Sequence, residues 1–187
     1  AFAKRIFEES EVASEKREFN SISALELITL PYENPTSVII DESTLFVKIS
    51  DKAYSCEFSE ISQILPFFED ENRSFIVYDI KELLHTLYPS NEEIPVKIRC
   101  DFDILLAAYV LSPSDGSYDI SRLSNAYLGK ILESDVDALK PLADEMKKKL
   151  EESDMLGLYE DIEVPLALVL FEMERRGFAL DIQSLKD

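Results

Sequence analysis

Three short runs rich in Val, Ile, Phe and Tyr follow one another in Thr36-Ser-Val-Ile-Ile-Asp-Glu-Ser-Thr-Leu-Phe-Val-Lys-Ile-Ser-Asp-Lys-Ala-Tyr-Ser-Cys-Glu-Phe58. The runs cover residues 36–41, 44–49 and 53–58. They are separated by Glu42-Ser43 and Ser50-Asp51-Lys52, polar residues that are typical of tight turns. The spacing predicts three consecutive strands, joined by short turns, at the start of a sheet.

Downstream of this meander, strand and helix patterns alternate. Residues 74–78 form an apolar run, Ser-Phe-Ile-Val-Tyr, which favours a buried strand, and Asp79 can cap a helix that ends near Tyr88. Residues 96–100 predict a fifth strand. Helices are predicted at 102–111, 119–128 and 134–152, and upstream at 21–32 and 59–68. The order predicts an α/β domain with a mixed sheet flanked by helices.

A long amphipathic helix is predicted near the end of the chain, with Gly177 at its C-terminal cap. The cationic pair Arg175-Arg176 precedes this glycine, where positive charge suits the negative end of the helix dipole. Pro165 lies inside the helical run, where its missing backbone donor costs about 3 kcal/mol unless the helix is kinked. Five apolar side chains share one face and are expected to pack against the domain: Ile162, Leu166, Val169, Leu170 and Met173.

The composition is that of a globular protein. The 187 residues are 46% hydrophobic and 30% charged, and no apolar run approaches the roughly 18–20 residues of a membrane span. The N-terminus lacks the basic and then apolar layout of a signal peptide. Cys56 and Cys100 lie in apolar, strand-like surroundings that favour reduced thiols. These features predict a cytoplasmic protein that does not insert into a membrane.

The net charge of −19 argues against direct binding to nucleic acid. Proteins that bind DNA on their own normally carry basic patches that neutralise phosphates. The densest basic cluster here, Lys147-Lys148-Lys149, lies between acidic residues and is typical of a solvated helix face with ion pairs. We therefore expect this domain by itself to bind DNA weakly or not at all.

Other common catalytic patterns are missing from the sequence. His85 is the only histidine, which leaves no basis for a histidine-containing triad or zinc site. None of the four glycines has the spacing of a phosphate-binding loop. No nucleotide cofactor is expected.

Four segments, in this order, resemble the 3′–5′ exonuclease domain of bacterial family A DNA polymerases, the DNA polymerase I family. Residues 38–41 (Val-Ile-Ile-Asp) resemble its first strand, residues 102–111 a helix that begins Phe-Asp, and residues 119–129 the following helix. Residues 163–181 resemble the segment that leaves this domain and enters the polymerase domain. The resemblance implies a ribonuclease-H-like fold with a long kinked C-terminal helix. It also implies a linker arm (1–20), an exonuclease-like domain (21–154) and the start of the polymerase domain (155–187).

The catalytic motifs of that family are degenerate in this chain. Active members hold two divalent metal ions with an Asp-x-Glu on the first strand, an aspartate on a middle helix and a Tyr-x-x-x-Asp on a late helix. The matching positions are Asp41 and Ser43, Leu83, and Asp137 without the tyrosine. Leucine cannot bind a metal ion, and Ser43 lacks the carboxylate. We therefore predict no catalytic residue, metal or cofactor in this chain, whereas the resemblance implies magnesium for the parent polymerase.

Asp103 follows the phenylalanine that begins the apolar helix. In the family that the chain resembles, an acid at this place lies near the catalytic site but usually outside the metal shell. An acid at the first turn of a helix is more often satisfied by backbone N–H groups. We expect this structural role for Asp103.

The sequence therefore favours an exonuclease-like structural domain that is itself without nuclease activity. The resemblance implies that the parent is a DNA-directed DNA polymerase, a nucleotidyltransferase of DNA replication and repair. The polymerase domain of the same chain is then the partner, and DNA is contacted only through the parent. One alternative is an active metal-dependent 3′–5′ proofreading exonuclease that uses Asp41, Glu42 and either Asp135 or Asp137. A second is an acidic, non-enzymatic interaction module, so whether the chain is an enzyme stays open.

Overall fold

The computed structural model describes residues 18–89 and 95–177. Six strands form its central sheet: β1 (Asn20–Ser21), β2 (Thr36–Asp41), β3 (Thr44–Ile49), β4 (Lys52–Glu57), β5 (Phe75–Val77) and β6 (Cys100–Asp103). They lie in the order β1-β4-β3-β2-β5-β6. The predicted mixed sheet is confirmed, because β2, β3 and β4 pair antiparallel while β1, β5 and β6 join in parallel.

Two-residue turns close both hairpins of the meander. Only Glu42-Ser43 separates β2 from β3, and only Ser50-Asp51 separates β3 from β4. Glu42 and Ser50 have φ angles of 51° and 52°. A left-handed residue in a two-residue hairpin matches the right-handed twist of the strands. These turns therefore set the register of the three strands.

Helices connect the strands and cover the sheet. They are α1 (Ala24–Ile28), α2 (Leu65–Phe68), α3 (Ile80–Leu87), α4 (Ile104–Leu111), α5 (Ile120–Leu123), α6 (Asp135–Glu152), α7 (Leu156–Leu158) and α8 (Val164–Arg176). A 3-10 turn (Ile61–Gln63) precedes α2, and π-helical turns follow α5 (Ser124–Leu128) and α7 (Tyr159–Glu163). The helices predicted at 119–128 and 134–152 are confirmed. In the described part of the chain, no helix is long and apolar enough to cross a membrane.

Several predicted elements have different bounds in the structure. The helix predicted at 102–111 begins at Ile104, because Phe102 and Asp103 belong to β6. The helix predicted at 21–32 is confined to α1, which begins at a capping box formed by Ser23 and Glu26. The helix predicted at 59–68 is split into the 3-10 turn and α2, because Pro66 lacks the N–H that a continuous helix needs. The strand predicted at 96–100 begins only at Cys100, where its backbone reaches β5, and it ends at Asp103.

The sheet is buried on both faces, as the alternation along β5 shows. Phe75 and Val77 lie in a first hydrophobic core with α1, α2, α3 and α8. Ile76 faces a second core, formed with α4, α5 and α6. All three side chains are at most 1% exposed. Because each such burial stabilises the fold by about 1.5–3 kcal/mol, the short strand is held from both sides.

The terminal helix α8 packs on the first core, but the face predicted from the sequence was wrong. Ala167 and Phe171 are buried, and the Phe171 ring contacts the rings of His85 and Tyr88 at the end of α3. The predicted stripe is exposed, with fractions of 54% for Ile162, 42% for Leu166, 53% for Val169, 38% for Leu170 and 61% for Met173. The helix is apolar on two sides, and tertiary packing rather than periodicity decides which side is covered.

The helical run that ends in α8 is irregular near Pro165, as predicted. A π-helical turn occupies Tyr159–Glu163, and Pro165 lies in the first turn of α8, where its missing N–H is tolerated. Gly177 ends the helix with a φ of 62°, a conformation that favours glycine. The residues after Gly177 lie outside the described part of the chain.

Most of the predicted linker arm, residues 1–17, also lies outside the described residues. At its C-terminal end, the Phe19 ring packs edge-on against the Phe46 ring of β3, with the ring centroids 4.9 Å apart. Asn20 then pairs with Tyr54 of β4. The chain therefore already contacts the sheet at Phe19.

Phe171→Ala and Leu166→Ala should have different effects on stability, because Phe171 lies on the buried side of α8 and Leu166 on its exposed side. We expect Phe171→Ala to lower the free energy of unfolding by about 3–5 kcal/mol, because it empties a closed site in the first core. Leu166→Ala should lower it by less than about 1 kcal/mol, because Leu166 is a largely solvated side chain. Urea denaturation followed by circular dichroism measures both values. Equal losses from the two variants would contradict this packing.

Candidate functional site

A cavity of about 520 Å³ opens where β2 and β3 meet the first turns of α5 and α6. Its wall is largely aliphatic and aromatic, and three carboxylates stand around it. The acids are Asp41, Asp119 and Asp135, and the aromatic residues are Phe19, Phe46 and Tyr78. We call this cavity the acidic cleft.

Asp41 is the last residue of β2 and lines the acidic cleft. Side chains alternate along a strand, so Asp41 lies on the same face as Ile39, which also lines the cleft. The structure thus places this predicted site residue in the cleft.

The next two residues, Glu42 and Ser43, form the hairpin turn and do not line the acidic cleft. The strand ends at Asp41, so position 43 does not continue it and does not share the face of Asp41. The Ser43 carbonyl instead accepts a hydrogen bond from the Phe58 N–H at 2.9 Å. The structure therefore does not bring Glu42 to the cavity that holds Asp41 and Asp135.

Leu83 lies in the first core rather than at the acidic cleft. It is 8% exposed, projects from α3 and lines a cavity of about 110 Å³ with Val38 and Val77. This cavity adjoins the acidic cleft, with which it shares Ile39, Ile40 and Tyr78. One turn earlier, Asp79 caps α3, as predicted, because its carboxylate accepts the Glu82 N–H at 3.0 Å. An apolar, buried side chain therefore stands at the position that the resemblance matched to the middle-helix acid.

The two acids at the start of α6 have different surroundings. Asp135 is exposed at the acidic cleft. Asp137 is buried and binds Lys48 of β3, with Nζ 2.6 Å from its carboxylate, and it accepts a hydrogen bond from the Ser134 hydroxyl at 2.6 Å. The ion pair ties α6 to the sheet and draws the Asp137 carboxylate away from the acidic cleft.

Sequence reasoning did not identify Asp119 and Tyr78 as cleft residues. Asp119 caps α5 through a 2.9 Å hydrogen bond from the Arg122 N–H, and Tyr78 donates its hydroxyl proton to the Tyr118 carbonyl at 2.9 Å. Asp119 could be recognised only as a helix cap, since its approach to Asp41 depends on tertiary structure. No sequence signal marked either residue as part of the site.

The acids of the cleft influence one another. Partial burial, followed by the charges of Asp119 and Asp41, raises the pKa of Asp135. Hydrogen bonds from the Ser117 hydroxyl and the Arg122 N–H lower the pKa of Asp119. No Lys or Arg is among the described residues that line the cleft. The cleft is therefore negative and does not suit phosphate groups.

The side chains present do not fit the two-metal site of an exonuclease. Such a site needs several carboxylates that converge on ions about 4 Å apart. Across the two described ranges, no three His, Cys, Asp or Glu side chains are placed to share one metal ion. Position 43 is in a turn, Leu83 is in the core, and Asp137 is paired with Lys48.

Asp103 has the structural role expected from the sequence. Its buried carboxylate accepts hydrogen bonds from the N–H groups of Ile80, at 2.7 Å, and Leu106, at 2.9 Å. One carboxylate therefore satisfies donors at the starts of both α3 and α4, and Asp103 does not line the acidic cleft.

Comparison with known proteins gives the family. Residues 36–138 match the family model described as DNA polymerase I, ribonuclease H-like domain. DNA polymerase I of Caldicellulosiruptor bescii is 36% identical over 118 residues, which are 59% of this chain and 14% of that protein. DNA polymerase I of Bacillus subtilis is 28% identical over 143 residues, 63% of this chain and 16% of that protein. The chain thus spans less than a fifth of the length of these relatives.

A solved structure supports the fold. The POL domain of Pol1 from M. smegmatis, in complex with DNA primer-template and dNTP, superposes with a TM-score of 0.71 at 21% identity. The match covers 87% of this chain and 32% of that chain. The six-stranded mixed sheet with helices on both faces and the match over residues 36–138 lead to one assignment. The chain belongs to the family of the ribonuclease H-like, exonuclease-like domain of DNA polymerase I.

Proposed function

We propose that this exonuclease-like domain has no nuclease activity of its own and serves as a structural part of a DNA polymerase I. The observation that carries the proposal is the separation of the motif positions. Asp41 lies in the acidic cleft, Leu83 lies in the first core, and Asp137 is paired with Lys48. A two-metal mechanism needs these positions to converge as carboxylates.

The activity of the whole protein is part of the same proposal. We infer a DNA-directed DNA polymerase, a nucleotidyltransferase of replication and repair, that binds DNA and magnesium through parts other than this chain and works in the cytoplasm. Support comes from the relatives, which are DNA polymerases I from two bacteria. The negative cleft and the net charge of −19 support DNA contacts outside this domain.

The division of the chain is also proposed. Residues 1–20 are assigned to a linker arm, residues 21–154 to the exonuclease-like domain, and residues 155–187 to the start of the polymerase domain. Packing of α8 on the first core through Phe171 then makes the helix a rigid link between the two domains. We assign the polymerase domain as the partner that covers its exposed apolar side, formed by Ile162, Leu166, Val169, Leu170 and Met173.

One observation favours an active exonuclease as the second candidate. Asp41, Asp119 and Asp135 all line the acidic cleft, so three carboxylates border one cavity, although among the described residues they are not placed to share one metal ion. In an active exonuclease of this kind, Asp119 would take the role that the sequence analysis gave to Glu42. The two candidates differ in whether the cleft binds a divalent metal ion.

Calorimetric titration with manganese tests the choice. We expect no binding site tighter than roughly 1 mM, the weak end of specific binding of hard cations, because Leu83 and Ser43 provide no carboxylate. Asp41→Asn serves as the matched control, since it removes one cleft acid without a change in size. A submillimolar site that disappears in Asp41→Asn would favour the active nuclease.

Leu83→Asp should not create nuclease activity. One added carboxylate does not rebuild a site that also lacks an acid at position 43, and it buries a charge in the first core. The readout is magnesium-dependent loss of 3′ nucleotides from a labelled single strand, with Leu83→Asn as the control for the packing change. Loss of 3′ nucleotides with Leu83→Asp but not with Leu83→Asn would overturn the assignment of an inactive domain.

Val169→Lys tests the exposed side of α8 as the contact with the polymerase domain. In a protein that also contains the polymerase domain, we expect Val169→Lys to lower the free energy of unfolding by more than about 1 kcal/mol, because a charge enters an apolar contact. In residues 1–187 alone, the same change should have an effect within about 0.5 kcal/mol. Tyr109→Lys is the control, since Tyr109 is a similarly exposed apolar side chain on α4. If Val169→Lys leaves both proteins unchanged, this side of α8 is not the contact.

A further inference from the structure

The acidic cleft is a cavity whose wall is mostly apolar. Its volume of about 520 Å³ lies within the range of roughly 300–1,000 Å³ of pockets that hold small molecules. The strands β2 and β3 supply Ile39 and Phe46 to this wall, and the first turns of α5 and α6 supply Ile120 and Val136. A ligand that fills the cavity must therefore bury aliphatic or aromatic surface.

Three aromatic rings stand around the same cavity, those of Phe19, Phe46 and Tyr78. The Phe19 and Phe46 rings meet edge-on, with their centroids 4.9 Å apart. The Tyr78 hydroxyl donates its proton to the Tyr118 carbonyl at 2.9 Å, so Tyr78 offers a ligand its ring rather than this proton. Because the face of an aromatic ring attracts cations, these rings favour a positively charged ligand over a neutral one.

Three carboxylates from separate elements border the cavity. Asp41 ends β2, Asp119 caps α5 and Asp135 begins α6. Within the described parts of the chain, none of the three forms an ion pair. Arg122, whose charge reaches Asp119, instead pairs with Asp115 at 3.7 Å. Since an apolar cavity lined by charges of one sign concentrates counter-ions, the cleft attracts cations.

The placement of these acids does not suit a metal ion. A hard divalent cation needs several oxygen ligands that converge to within about 2.6 Å of one point. In residues 18–89 and 95–177, no three acidic, histidine or cysteine side chains are placed to share one ion. Carboxylates that border a cavity without converging fit a ligand whose own positive charges are separated. Apolar spacers between those charges can then contact the apolar wall of the cavity.

We propose that the acidic cleft binds a linear organic polycation of the polyamine class. Its ammonium groups lie at the carboxylates of Asp41, Asp119 and Asp135, and its methylene chain lies against the aliphatic and aromatic wall. Ammonium groups donate charge-assisted hydrogen bonds to carboxylates and are attracted to aromatic faces, while methylene groups gain from their removal from water. The site goes beyond the proposed structural role of the domain and does not depend on whether the domain is a nuclease.

Calorimetric titration of residues 1–187 with spermidine, at an ionic strength of about 0.1 M, tests the proposal. We expect one site with a Kd below about 1 mM, and butylamine, which carries a single ammonium group, should bind at least about tenfold more weakly. Asp41→Asn combined with Asp135→Asn should weaken the binding of spermidine at least about fivefold, because two charge pairs are lost. The matched control, Glu151→Gln combined with Glu152→Gln, makes the same change in net charge at the opposite end of α6. It should change the affinity less than about twofold, since salt at this concentration screens charges beyond about 10 Å.

Methyl NMR of the same titration locates the bound spermidine. The methyl signals of Ile39 and Ile120, which line the acidic cleft, should shift, whereas those of Ile49 and Ile64 in the first core should not. Phe46→Leu keeps an apolar side chain but removes a ring from the wall. This change should weaken the binding of spermidine about two- to fivefold, which is the contribution of one cation–π contact.

Three outcomes would overturn the proposal. Equal losses of affinity in the two double variants would mean that spermidine responds only to the net charge of −19. Displacement of spermidine by submillimolar magnesium would mean that the cleft is a metal site. If the Asp41→Asn, Asp135→Asn variant does not fold, the wild-type methyl shifts decide, and shifts that are absent from Ile39 and Ile120 contradict the site. Failure of spermidine to bind leaves the manganese titration and the nuclease assay unchanged, so the proposed function is tested separately.

Discussion

Helices cover both faces of the sheet, and this two-sided burial is the constraint on which the other features depend. A strand in such a sheet must be apolar on both sides, as Phe75, Ile76 and Val77 of β5 are. The helices α3 and α8, which lie over the first core, must likewise present apolar side chains to the sheet. Any side chain that lies in either core must therefore be apolar and fit the space available, whatever role its position has in catalytically active relatives.

If the domain is inactive as proposed, this constraint explains how its fold persists without the metal-binding motif. An aspartate at position 83 would face Val38 and Val77, and a buried carboxylate costs several kcal/mol unless a metal ion or donors compensate it. Leu83 removes that cost and joins the first core. The pairing of Asp137 with Lys48 likewise gives an acid a structural partner between α6 and β3. Leu83 and the Asp137–Lys48 pair therefore both contribute to the packing of the fold.

The sequence predicted the elements whose signals are local. The meander from Thr36 onwards and the cap at Asp79 depend on alternation, turn residues and capping, all within a few positions along the chain. Features that depend on distant parts of the chain were missed. The covered face of α8 is decided by the surface beneath Phe171, and the approach of Asp119 to Asp41 is decided by the position of α5 on the sheet.

The two-residue turn between β2 and β3 restricts how this chain can change during evolution. With β2 ending at Asp41 and pairing with β3 at once, no position two residues later shares the face of Asp41. A base substitution exchanges one side chain for another, but it does not lengthen a strand. Recovery of a second acid on this face requires inserted codons, and a strand displaced by one residue presents the opposite face to the core. A single substitution at position 43 therefore adds an acid to the turn and not to the face of Asp41, and a second acid on that face needs an insertion together with a repacked β3.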